Sequence, residues 1–172
     1  MTKFKDWFDK KLVQGAFPYK VNTHFEPVYD VVINVSDEWY PEIEAQLREK
    51  YIRHYWFPMN ECKKDIGLNS IYGAMCILHH VELKNLSVYL NCHAGVNRSE
   101  IVKCAYYFMR TGTQLETEQN GFINRLVAAC SRGYLPPRAE MEAFLTGCNN
   151  RFKYDTIGGL LDGLKLNNLN NF

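Results

Sequence analysis

The chain has 172 residues, which suits one domain with a sizeable core and is short for two. Hydrophobic residues make up 47% and charged residues 23%, which excludes a disordered chain. A formal net charge of +1 excludes a global field for nucleic acid or anionic membrane, so any anion site must be built locally.

The N-terminal stretch 1–11 carries Lys3, Lys5, Asp6, Asp9 and Lys10, so it lacks the apolar core of a signal peptide. No apolar run approaches the roughly 20 residues of a membrane helix. A soluble, cytoplasmic protein is expected, with no membrane partner. In that setting the six cysteines (Cys62, Cys76, Cys92, Cys104, Cys130 and Cys148) read as reduced thiols, most of them small core residues. There is no Cys-x-x-Cys pair, and His79–His80 has no spaced partner set, so no metal site is expected.

In chain order, Phe4, Trp7 and Phe8 share one helical face, which predicts a short amphipathic helix. Lys11–Gln14 predicts a strand closed by Gly15. Val28–Val35 is β-branched and apolar, as a buried strand should be. Ser36 and Asp37 are helix-start residues, so a helix is expected over Glu38–Lys50. Tyr51–Phe57 predicts another strand, ended by Pro58. Asn69 is a cap for a helix with Ile71, Met75 and Leu78 on one stripe. Leu86–Leu90 predicts a short buried strand, and Ser99–Arg110 a helix ending near Gly112. Phe122, Ile123, Leu126, Val127 and Cys130 mark another helix, closed by Gly133. Pro136 and Pro137 open a last one through Phe144 and Leu145.

Strands alternating with helices predict an α/β domain with a mostly parallel twisted sheet flanked by helices. Its expected extent is 1–150. Residues 151–172, with Gly158–Gly159 and an Asn-rich end, read as a tail, frayed or packed on as a helix.

The stretch that carries chemistry is Leu90-Asn91-Cys92-His93-Ala94-Gly95-Val96-Asn97-Arg98-Ser99, between a predicted strand and a predicted helix. A turn wrapping at a helix N-terminus aims several N–H groups at one point and makes an anion cradle. The cradle would be formed by His93, Ala94, Gly95, Val96 and Asn97, with Gly95 allowing the close approach. A cysteine at its base sits in positive potential, which favours thiolate and lowers its pKa from about 8.5 into roughly the 3.5–7.5 range. Arg98 would return over the loop and grip two phosphate oxygens, a geometry lysine cannot copy. Ser99 would donate a hydrogen bond to the thiolate. The bland alternative is a structural cysteine beside a surface arginine. Chance places this spacing after one of six cysteines in roughly a few cases per thousand, which disfavours that alternative.

The loop resembles the Cys-x5-Arg-Ser/Thr signature of the protein tyrosine phosphatase superfamily, and its Ala-Gly-Val-x-Arg-Ser form resembles the dual-specificity branch. VVINVSDE, FPMNE, IVKCAYYFMRTG, RGYLPP and EMEAFL resemble that branch's second core strand, general-acid loop, post-loop helix and closing helices, so the resemblance covers about residues 10–146. A low-molecular-weight phosphatase would carry the loop at its N-terminus, and a rhodanese-like sulfurtransferase fits the acid loop and closing helices poorly.

The resemblance implies a two-step hydrolysis without cofactor, with Cys92 as nucleophile and Arg98 as phosphate clamp. It places a general acid at Glu61, where the family has aspartate. Asp65 is the other candidate, and a solvated-loop role for both is the alternative. The extra methylene of glutamate displaces the carboxyl, and misplacement on that scale can cost on the order of 100-fold. Asn91 stands where the family has histidine. Its amide is expected to bond to backbone and keep the loop, with a higher cysteine pKa than histidine would give. His93 is expected to shape the pocket rim. Tyr106, Tyr107 and Phe108 read as helix packing, and Arg132 and Arg138 as solvated charge or as contacts for a second anionic group. The expected partner is a phosphorylated protein; an RNA 5′ end, which Asn97 before the arginine recommends, is an alternative, as is a pseudophosphatase that only binds. Oligomeric state is not encoded legibly.

Overall fold

The computed structural model describes residues 2–18, 29–59, 68–111 and 115, without the side chains of residues 68, 69 and 108. Expectations for Glu61, Cys62 and Asp65, for the helices after residue 115 and for the tail lie outside the described residues.

The elements are α1 (Thr2–Lys11), β1 (Leu12–Gly15), β2 (Val31–Asn34), α2 (Pro41–Glu49), β3 (Arg53–Trp56), α3 (Leu68–Leu83), β4 (Val88–Asn91) and α4 (Arg98–Thr111). Among the described residues the four strands form one sheet, ordered β1-β4-β2-β3, with every pair parallel. The elements predicted within the described residues are present; β1 is shifted by one residue from its expected span, and β2, β3 and β4 are shorter than the runs that announced them.

Alternation along each strand separates two cores. Leu12, Val31, Ile33, Val88 and Leu90 face a large cluster with α1, α3 and α4, which contribute Trp7, Met75 and Ile101 among others. Val32 and Tyr89 face the opposite side, against Ile43 and Leu47 of α2. This is the two-sided burial that parallel strands require. Phe4, Trp7 and Phe8 are buried, as their shared face predicts, and Phe8 packs edge-on against Tyr107 with ring centroids 5.1 Å apart. Tyr106 is buried as expected, while Phe108 has no described side chain.

Two helix starts differ from expectation. Ser36 and Asp37 do not open α2, which begins at Pro41 after an N-cap, Tyr40, with no side-chain cap bond. Proline at the first position supplies the helical φ without a cap, and Ser36 and Asp37 are engaged elsewhere. Likewise α3 starts at Leu68, so Asn69 lies inside it. Among the described residues, no helix is long and apolar enough to cross a membrane.

Candidate active site

The strand register sets the site. Gly15, Asn91, Asn34 and Trp56 lie side by side at the carboxyl ends of β1, β4, β2 and β3. Ligands of open α/β sheets bind beyond that edge. Cys92 follows β4, which has a neighbour on each side, and the loop 92–97 wraps onto the N-terminus of α4.

Cys92 is only 2% exposed. Its sulfur lies 3.3 Å from Ser99 Oγ. Burial pushes the thiol pKa up, but the Ser99 hydroxyl and the N–H groups of Ser99, Gly95 and Asn97 outweigh it, and the net shift is downward. The contrast is Cys76, a core thiol whose burial pushes it up to about 12 despite a hydrogen bond from Tyr72. Cys76, Cys92 and Cys104 are all buried free thiols, but the cradle surrounds Cys92 alone among them.

Gly95 has φ +73, and a Cβ there would sit 2.4 Å from the Gly15 carbonyl carbon and 2.5 Å from Ala16 N. Only glycine combines that backbone angle with so close an approach. Ala94 and Val96 are exposed on the outer side of the turn.

Arg98 is the first residue of α4 and is 5% exposed. Its Nη1 donates to Asp37 Oδ1 at 2.6 Å and to the Met59 carbonyl at 2.8 Å. The guanidinium is thereby held between the segments that follow β2 and β3. Met59 precedes the segment that contains Glu61, and its neighbour Pro58 is tied to α3 through the Ser70 hydroxyl at 2.8 Å.

Sequence reasoning missed the residues that hold the loop. Asn91 Nδ2 donates to Asn34 Oδ1 at 3.1 Å, a side-chain partner where backbone was expected; its contact to the Cys92 carbonyl, at 3.5 Å, is marginal. Asn34 in turn accepts from Ser36 N and Oγ at 2.9 and 2.8 Å and donates to Glu38 O at 2.9 Å. Glu38 Oε2 lies 2.6 Å from His93 Nδ1, and the His93 side chain is half exposed. On the other side Gln14 Nε2 reaches Gly95 O at 3.0 Å and Ser99 Oγ at 3.2 Å, and Phe17 N donates to His93 O at 2.9 Å. One signal was available: polar residues ending apolar strands, Gln14, Asn34 and Asn91, all fall at the same edge of a parallel sheet.

The comparisons agree with this architecture. A mutant form of Tk-PTP superposes with TM-score 0.55 at 14% identity, covering 85% of this chain and 94% of that one. The chain has the protein tyrosine/dual-specificity phosphatase fold. The core catalytic domain of the PP-IP phosphatase SIW14 from S. cerevisiae aligns with TM-score 0.50 at 17% identity, covering 91% and 88%. Among curated proteins, mouse (Mus musculus) laforin is 25% identical over 103 residues, 56% of this chain and 31% of laforin. The match thus spans about a third of that relative's length. No family model matches the chain.

Proposed function

We propose that this chain is a cysteine-dependent phosphatase of the protein tyrosine/dual-specificity superfamily. The observation that carries the reading is a buried cysteine whose sulfur is met by the Ser99 hydroxyl and by the N–H groups of Ser99, Gly95 and Asn97, just ahead of a helix whose first residue, Arg98, is pinned by Asp37. Burial alone would suppress its ionisation; the cradle reverses the sign.

In the proposed route the Cys92 thiolate attacks phosphorus in line and a P–S bond forms as the bond to the leaving oxygen breaks. Loop N–H groups and Arg98 hold the equatorial oxygens as charge develops. Glu61, or Asp65 in its place, gives a proton to the leaving oxygen. Water then attacks phosphorus, losing a proton to the acid's conjugate base, and the P–S electron pair returns to sulfur. No metal or cofactor takes part.

The substrate proposed first is a phosphotyrosine, phosphoserine or phosphothreonine side chain of a protein, because Ala94 and Val96 are exposed on a loop that reads as a shallow site. Residues 1–150 are proposed as the catalytic domain and 151–172 as a tail, in a cytoplasmic protein. Asn91 is the observation that favours a second reading, a binder of phosphorylated partners, since it replaces the family's histidine.

The test is turnover of an aryl phosphate, phosphopeptides, inositol phosphates and RNA 5′-triphosphate, with Cys92→Ser as control. Hydrolysis of at least one, abolished in Cys92→Ser, is expected. Phosphopeptide binding without turnover would leave the binder.

A further inference from the structure

The Ser99 hydroxyl has one proton, and two neighbours compete to define its direction. Its oxygen lies 3.3 Å from the Cys92 sulfur and 3.2 Å from Gln14 Nε2. The orientation of the Gln14 amide is decided by a third group, because the same nitrogen lies 3.0 Å from the Gly95 carbonyl oxygen, which can only accept. The nitrogen end must therefore face both Gly95 and Ser99, giving one N–H to each. Ser99 Oγ becomes the acceptor of that bond, and its own proton is left for Cys92.

We infer that Gln14 is a positioning residue: it fixes the Ser99 hydroxyl as a donor to the Cys92 sulfur. The inference rests on the phosphatase reading for its purpose but not for its geometry. In that reading sulfur carries negative charge twice, in the resting thiolate and when the P–S bond breaks in the second step. A hydroxyl already aimed at sulfur needs no reorientation at either moment. Two observations make the aim firm. The Gln14 backbone is fixed on a strand paired to β4, opposite Leu90, and its side chain is partly buried, which narrows the positions its amide can take. Just beyond it, Tyr89 Oη donates to Ala16 O at 2.8 Å and Phe17 N to His93 O at 2.9 Å, closing the same side.

The experiment is the pH profile of iodoacetate inactivation for the wild type, Gln14→Leu, Gln14→Met, Ser99→Ala and the double variant Gln14→Leu/Ser99→Ala. Both Gln14 variants remove the N–H groups at similar size; if one fails to give a cooperative thermal transition, the other carries the test. The apparent Cys92 pKa should rise by about 0.5–1 unit in either variant, as expected for loss of an aligned donor to the charged form. It should rise at least as far in Ser99→Ala, and no further in the double variant, since Gln14 acts through Ser99. A Gln14 variant with the wild-type profile, or a shift that adds in full to that of Ser99→Ala, would overturn the inference. A wild-type profile already at the free-thiol value would instead remove the phosphatase reading, so the two failures are distinguishable.

Discussion

The Cys92 loop is held from two sides, and the two use different physics. On one side the exit of β1, Gln14–Phe17, meets it through close backbone contact and neutral hydrogen bonds: Gly15 and Ala16 against Gly95, Phe17 N to His93 O, and the Gln14 amide. On the other the exit of β2, from Asn34 to Tyr40, meets it mainly through carboxylates, with Asp37 on Arg98 and Glu38 on His93. The first side sets the shape of the cradle; the second sets where its cation and rim stand. Shape should be intolerant of any added atom and indifferent to salt. Charge should tolerate conservative change and respond to ionic strength and pH.

The largest effect is expected from Gly95→Ala. The added Cβ meets backbone atoms of Gly15 and Ala16 that no side-chain rotation can clear, at a φ of +73. The loop must move by an amount comparable to the misplacements that cost about 100-fold in rate. Turnover of an aryl phosphate should therefore fall by at least about 100-fold, with the Cys92 inactivation profile moving toward the free-thiol value. Wild-type-like turnover would show that the β1 exit yields, and the contrast between the sides would dissolve.

Asp37→Asn should come next. The Asp37 side chain is 38% exposed against 6% for Arg98, so the pair is partly screened and asparagine keeps one hydrogen-bond acceptor. The expected loss in kcat is about 10–100-fold, below that of Gly95→Ala, as the guanidinium loses its fixed direction. Inhibition by inorganic phosphate should change less, because the carboxylate that positions Arg98 also competes with phosphate for it. A kcat unaffected by Asp37→Asn, or a loss in phosphate affinity as large as the loss in kcat, would deny Asp37 a positioning role.

The same contrast explains what was legible in the sequence. Cys92, Gly95, Arg98 and Ser99 lie within eight consecutive residues between a strand and a helix, so their chemistry could be read locally. β2, β3 and β4 were legible because they lie in or overlap stretches rich in β-branched and aromatic residues, and β1 because Gly15 closes it, with ends off by one to three residues. The braces were not, because each acts across a large sequence separation: 81 residues from Gln14 to Gly95, 61 from Asp37 to Arg98, 55 from Glu38 to His93. Ser36 and Asp37 were also misleading for a physical reason. Their short polar side chains suit a helix N-cap and a tertiary hydrogen bond equally well. Here Ser36 turns back to Asn34, two residues earlier, Asp37 takes a tertiary partner in Arg98, and Pro41 starts α2 unaided.

The smallest effect at neutral pH, and the one that isolates the β2 side, concerns His54. Trp39, just beyond Asp37 and Glu38, stacks on this ring at 4.8 Å with planes 2° apart, and Trp56, which donates to Ser36 O at 2.8 Å, packs on Trp39. Burial lowers the His54 pKa to about 4, against a smaller upward pull from Glu44. Its buried Nδ1 has no hydrogen-bond partner among the described residues, which is tolerable for a neutral ring and not for a charged one. Above pH 6.5 neither the folded nor the unfolded state protonates it, and its contribution is fully present. As pH falls from 6.5 toward 4 the unfolded state takes up a proton that the folded state refuses, and stability drains away. His54→Phe keeps a flat ring against Trp39 and cannot titrate. It should match the wild type in stability and turnover at pH 7.5, then exceed it in stability by about 1–2 kcal/mol at pH 5. Thermal melts of both proteins across pH 4–8 measure this directly. Parallel acid limbs would show that His54 is protonated in the folded state, and that the stack bracing the β2 exit carries charge rather than excluding it.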